Sequence, residues 1–146
     1  MYSLEEFDKQ KTKVLKYIVY KKRTENEVRV KFAKEIDEVL LADIIEYLKE
    51  AGYINDNNYI DKTVNQYMNL KNLSIKEIVY KLYSKGIDKK IIEKYLEDNS
   101  EELNDYEKKS ATNIINKKIL STDKMDIRMY LLRKGYKSDN IELGED

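Results

Sequence analysis

Apolar residues in this chain recur every three or four positions, and no stretch alternates apolar with polar as a strand would. The pattern predicts helices throughout, and the absence of proline fits it. Ser3 and Glu6 read as a capping box before a helix that turns Phe7, Val14 and Ile18 inward. Thr24 and Glu27 form a second box, ahead of Val28 and Phe32. Asp37 or Glu38 opens a third helix with Leu41, Ile44, Ile45 and Leu48 inward, and Gly52 ends it with a left-handed cap.

The pattern then restarts. Asp56 precedes a helix carrying Ile60, Val64, Tyr67 and Met68 on its apolar side. Ser74 and Glu77 make a further box before Ile78, Leu82 and Tyr83, and Gly86 stops that helix. Asp88 opens the next, with Ile91, Ile92, Tyr95 and Leu96. After Ser100 comes a longer helix with Leu103, Tyr106, Ile114 and Ile115. Asp123 caps a helix with Ile127, Leu131 and Leu132, which ends at Gly135. The closing KSDNIELGED has room for little more than a turn or two.

These restarts share one register. Thr24, Ser74 and Asp123 are equivalent caps; Val28, Ile78 and Ile127 lie four places on, and Phe32, Leu82 and Leu131 eight. Ile36, Gly86 and Gly135 occupy the twelfth place. The chain is therefore expected to be all-α, with three tandem three-helix modules at residues 1–52, 53–99 and 100–146. A module of about fifty residues buries too little surface to stand alone, so stacking on a neighbour is expected.

Composition narrows the chemistry. The chain has neither cysteine nor histidine, which removes disulfides, thiolate nucleophiles and the commonest metal ligand and general base. Its four glycines stand far apart, so no phosphate-cradling loop is expected. No catalytic residue, metal site or cofactor is anticipated. Basic and acidic residues number 28 each, whereas a protein coating nucleic acid usually carries a basic excess. That balance argues for a protein partner. No apolar run approaches the ~18 residues of a membrane span, and MYSLEEFDKQ lacks the core of a signal peptide, so a cytoplasmic location is expected.

The order and spacing of the motifs resemble the bacterial RecX regulators of the recombinase RecA. The junction AGYINDNNYID at 51–61 has the family's Gly-Tyr-aliphatic step in Gly52, Tyr53 and Ile54. Asn55 and Asp56 follow as its acidic or amide pair, then Tyr59 as the aromatic residue opening the next helix. IVYKLYSKGI at 78–87 matches the second module's helix ending in Lys-Gly-Ile, and RTENEV at 23–28 the first module's capped start. The chain departs from the family in its shortened last helix and in Ile36, which stands where the other modules carry glycine. The resemblance implies an elongated, curved array, acting as a monomer that lies in the groove of the RecA filament on single-stranded DNA. It also implies inhibition of recombination, DNA repair and SOS functions of RecA by binding, without catalysis, and contact with single-stranded DNA only within that filament. The competing expectation is a helical module that binds nucleic acid directly, with helix pairs around Gly86 and Gly135 imitating a helix-turn-helix.

For the partner-binding face the candidates are Lys81, Lys85 and Lys89, spaced by four, with Arg29 and Arg128 at equivalent places one residue after Val28 and Ile127. All three lysines are expected to be exposed. Gly52, Gly86 and Gly135 are read as structural caps. Tyr53, Tyr59 and Tyr83 are read as packing residues between modules, with base stacking as the alternative.

Overall fold

The computed structural model describes residues 1–144, and every regular element among them is helical. The helices are α1 (Leu4–Tyr20), α2 (Glu25–Phe32), α3 (Glu38–Glu50), α4 (Asp56–Leu70), α5 (Ile75–Ser84), α6 (Lys89–Asp98), α7 (Ser100–Lys118) and α8 (Lys124–Lys134). A single 3-10 turn follows at Ser138–Asn140. No helix among the described residues is long and apolar enough to cross a membrane.

Local chemistry explains most boundaries. The Thr24 hydroxyl accepts the Glu27 N–H at 3.0 Å while the Glu27 carboxylate accepts the Thr24 N–H at 3.1 Å, a complete capping box. Ser74 and Glu77 repeat it at 3.1 and 2.9 Å. Ser3 makes half of one: its hydroxyl accepts the Glu6 N–H, but the Glu6 carboxylate turns forward to Gln10. Asp37 caps α3 through the N–H groups of Val39 and Leu40. Gly52 closes α3 at φ +84°, with its own N–H on Lys49 and that of Tyr53 on the Leu48 carbonyl. A side chain there would strain the left-handed backbone.

Three start positions differ from expectation. Asn55 caps α4, accepting the Asn58 N–H at 3.1 Å, while Asp56 is already helical and bonds elsewhere. Ser100 is the first residue of α7 and Asn99 its cap position. Asp123 stands at the cap of α8 but its carboxylate makes no capping bond.

By packing, the described chain falls into two compact units: residues 1–59 with 84–88, and residues 60–83 with 89–144. In the first, α1, α2 and α3 enclose a core of Val14, Ile18, Val28, Phe32, Ile44 and Leu48, among others. Tyr17 packs edge-on against Phe32, with ring centroids 5.5 Å apart. In the second, Ala111, Ile114 and Ile115 of α7 meet Ile127 and Leu131 of α8, and Tyr136 and Ile141 close over them. Leu82 is fully buried, as are its counterparts Leu131 and, nearly, Phe32.

Two expected inward residues face out instead. Leu132 is 40% exposed and Tyr83 43%. Each directly follows a buried ladder residue, and one step along a helix rotates a side chain by about 100°, off a narrow apolar stripe. The twelfth place also splits. Ile36 is itself a core residue, whereas after Gly86 and Gly135 the buried side chain comes one place later, at Ile87 and Tyr136. The left-handed glycine inserts a residue that the right-handed exit at Ala33 does not.

Candidate interaction surface

The two complete capping boxes have a second function. Besides accepting the N3 N–H, the Thr24 hydroxyl donates to the carbonyl of Lys85 at 2.8 Å. The Ser74 hydroxyl donates to the carbonyl of Lys134, also at 2.8 Å. In both cases that carbonyl immediately precedes a left-handed glycine, Gly86 or Gly135. One hydroxyl thus starts a helix and clasps a turn some sixty residues away. The glycines are required sterically as well: a Cβ on Gly86 would collide with the Asn26 side chain, and one on Gly135 would come 2.8 Å from Lys76 Cβ.

A carboxylate completes each clasp by taking the next free N–H of the same helix start. Asp56 accepts the Glu25 N–H at 3.0 Å, and Glu107 accepts that of Ile75 at 2.7 Å. Burial raises the Asp56 carboxyl above its usual value, with the Glu25 charge adding to the effect and the N–H bond opposing it. Glu107 is fully buried and also accepts the Lys137 N–H at 2.8 Å and the Asn140 amide at 2.9 Å. Three N–H donors compensate its desolvation, and no ion pair holds it among the described residues. Beside it, the Tyr106 hydroxyl donates to the Leu73 carbonyl and Tyr136 shares a hydrogen with Ser110, and burial raises both phenols. Sequence reading missed Asp56 and Glu107 in these roles, and the equivalent clasp positions of Thr24 and Ser74 were the only local signal.

The candidate cations are placed unevenly. Lys81 is exposed on α5, with its ammonium 5.8 Å from the Tyr67 ring centroid. Lys89 is exposed at the start of α6 and pairs with Glu93 at 3.8 Å. Lys85 is only partly exposed, and its carbonyl holds the Thr24 clasp. The four-residue spacing is therefore not a helical row, because α5 ends at Ser84 and Gly86 reverses the backbone hand. Arg29 is exposed and pairs with Glu25 at 3.3 Å; Arg128 is partly buried beside the start of α8. Glu25 also binds Lys49 at 2.9 Å. Burial draws the Glu25 carboxyl upward, but the bonds and charges of Lys49 and Arg29 outweigh it and hold the group below its ordinary value. Tyr53 and Tyr83 are exposed, so they do not serve as packing residues; Tyr59 is half-buried. No group of acidic residues among those described is arranged to hold a metal ion.

Among its described residues this is an all-helical protein in which two helix starts, those of α2 and α5, are clasped by distant Lys-Gly turns. Its structure superposes on the crystal structure of RecX from Lactobacillus salivarius with a TM-score of 0.77, at 28% identity, over 94% of this chain and 93% of that one. The regulatory protein RecX of Clostridium beijerinckii is 32% identical over 142 residues, covering 92% of this chain and 66% of the relative. That of Finegoldia magna is 41% identical over 85 residues, covering 58% and 42%. No family model matches the chain. The chain belongs to the RecX family of regulatory proteins. It spans about half the length of the curated relatives it matches, from 33% to 66%.

Proposed function

We propose that the protein regulates a RecA recombinase by binding along the groove of its filament on single-stranded DNA, and that it does so as a cytoplasmic monomer. In this reading it lowers RecA's ATP hydrolysis, strand exchange and support of the SOS response, and thereby moderates recombination and repair. It performs no chemistry of its own, and it meets DNA only inside the filament. The modules 1–52, 53–99 and 100–146 are the units that face successive RecA subunits.

The observation supporting this reading is the fold shared with a solved RecX chain over 94% of this chain, at 28% identity. Its physical sense lies in repetition: a partner built of identical subunits is met best by a chain that repeats its own contacts, since each engaged site raises the effective concentration of the next. Exposed cations at Lys81, Lys89 and Arg29 then meet the acidic surface of a filament carrying its strand.

The test is ATP hydrolysis by RecA on single-stranded DNA, titrated with the protein. Inhibition at substoichiometric amounts is expected, weakened in the Lys81→Glu, Lys89→Glu double variant and converging with the parent at high salt. A parent that leaves hydrolysis unchanged would sink the proposal. Direct binding to bare DNA with a steep salt slope would instead support the nucleic-acid module.

A further inference from the structure

The exposed surface repeats as faithfully as the core. Six places after Thr24, Ser74 and Asp123 stand Val30, Tyr80 and Met129, which are 69%, 75% and 49% exposed. Nine places after them stand Ala33, Tyr83 and Leu132, also exposed. Both places are apolar in all three repeats although the residues differ, and three residues apart on a helix they share one face. Single exposed apolar residues need no explanation, but recurrence at two registers in three helices does. None of these side chains is spent on the cores described above.

Charge on the same segments is segregated. Residues 28–34, 78–84 and 127–133 read VRVKFAK, IVYKLYS and IRMYLLR: six basic residues and no acidic one, in a chain where the two are equal overall. Each middle helix thus offers an apolar pair with cations beside it, its carboxylates (Glu25 and Glu27, Glu77, Asp126) being confined to the first turn. The complementary surface is an apolar depression bordered by carboxylates. Nucleic acid fits poorly, because Val30, Met129 and Leu132 have no ring on which a base could stack.

We propose that these faces of α2, α5 and α8 are the partner-contacting surface, each seating in an apolar, acid-rimmed depression on one subunit of a protein polymer. The assignment rests on the RecA-filament reading and identifies the contact through which it acts. The recurrence supplies the argument for a polymer: three equivalent faces on one chain call for three copies of one site. The cations steer and orient, whereas the apolar pairs hold, so the two contributions respond differently to salt.

The experiment replaces Val30, Tyr80 and Met129 by serine, singly and together, and measures cosedimentation with RecA polymerised on single-stranded DNA and binding to the bare strand. Because all three are exposed, helicity and melting should stay those of the parent. Each replacement is expected to weaken filament binding by about three- to tenfold, and the triple variant by about thirty- to a thousandfold, at low and high salt alike. A triple variant that binds filaments within twofold of the parent overturns the surface while leaving the proposed function intact. Equal loss on the bare strand overturns the protein partner in favour of nucleic acid. A parent that binds no filament overturns both readings together.

Discussion

Replacing Ser74 with alanine isolates the clasp, because the hydroxyl makes two bonds and alanine makes neither. Losing the capping bond to the Glu77 N–H costs about 1 kcal/mol, as for other hydroxyl caps. Losing the 2.8 Å bond to the Lys134 carbonyl costs about 1–2 kcal/mol more, since Ser74 is fully buried and no water replaces it. The return bond from the Ser74 N–H to Glu77 survives, so the helix start is weakened but not abolished. The expected total is about 2–3 kcal/mol. Ser3→Ala is the control: its hydroxyl caps α1 in the same way but is exposed, so about 1 kcal/mol or less is expected. Ser74→Thr restores both bonds and should recover most of the loss, as Thr24 makes the same pair. Urea unfolding followed by far-ultraviolet circular dichroism measures all three, with constant slope required before midpoints are compared. If Ser74→Ala costs no more than Ser3→Ala, the long-range bond contributes nothing and the clasp is only a cap.

Leu82→Ala should cost about 2–5 kcal/mol in the same assay, because the side chain is fully buried; a cost near zero would mean the inward face of α5 is wrong. Gly52→Ala and Gly86→Ala share the left-handed strain of about 1–2 kcal/mol, but only at Gly86 does the new methyl meet a neighbour. Gly86→Ala should therefore cost more, and combining it with Asn26→Gly, which removes the Cβ 2.5 Å away as well as the amide, should cost less than the sum of the two single changes. Glu25 titrates below its ordinary 4.5 in the folded protein, so its bonds to Lys49 and Arg29 stabilise above that pH and fade as pH falls through the folded value. The stability gap between the parent and Glu25→Gln, from urea midpoints at pH 3 to 7, should be flat above about pH 5 and shrink below 4.5; a gap constant to pH 3 contradicts the assignment.

What was legible in the sequence was what neighbours along the chain determine. Both capping boxes could be read because acceptor and donor lie three residues apart, and so could the ladders from Val28 to Phe32 and Ile78 to Leu82. Glu107 could not. Within EKKS it looks like any solvated helix charge, and its burial follows from N–H groups of Ile75 and Lys137, each thirty or more residues away. The clasp by Asp56 is hidden for the same reason, and its place on α4 does not match that of Glu107 on α7. Reading Asp123 as equivalent to Thr24 and Ser74 was right in register and wrong in chemistry. The partial burial of Lys85 was not legible either, because α5 ends at Ser84 and four-residue spacing fixes a direction only within a helix.

The dual use of Thr24 and Ser74 restricts which amino acids can stand there. A lone helix start accepts serine, threonine, aspartate or asparagine almost equally, since each offers an oxygen to the N3 N–H. A start that must also give a hydrogen to a carbonyl across the fold excludes aspartate, whose charge would repel that oxygen. The two clasped starts carry hydroxyls, and the third, where no clasp is made, carries Asp123. An aspartate at a helix cap therefore marks a start against which no distant carbonyl rests, whereas a hydroxyl, free at Ser3 and clasping at Thr24 and Ser74, permits either.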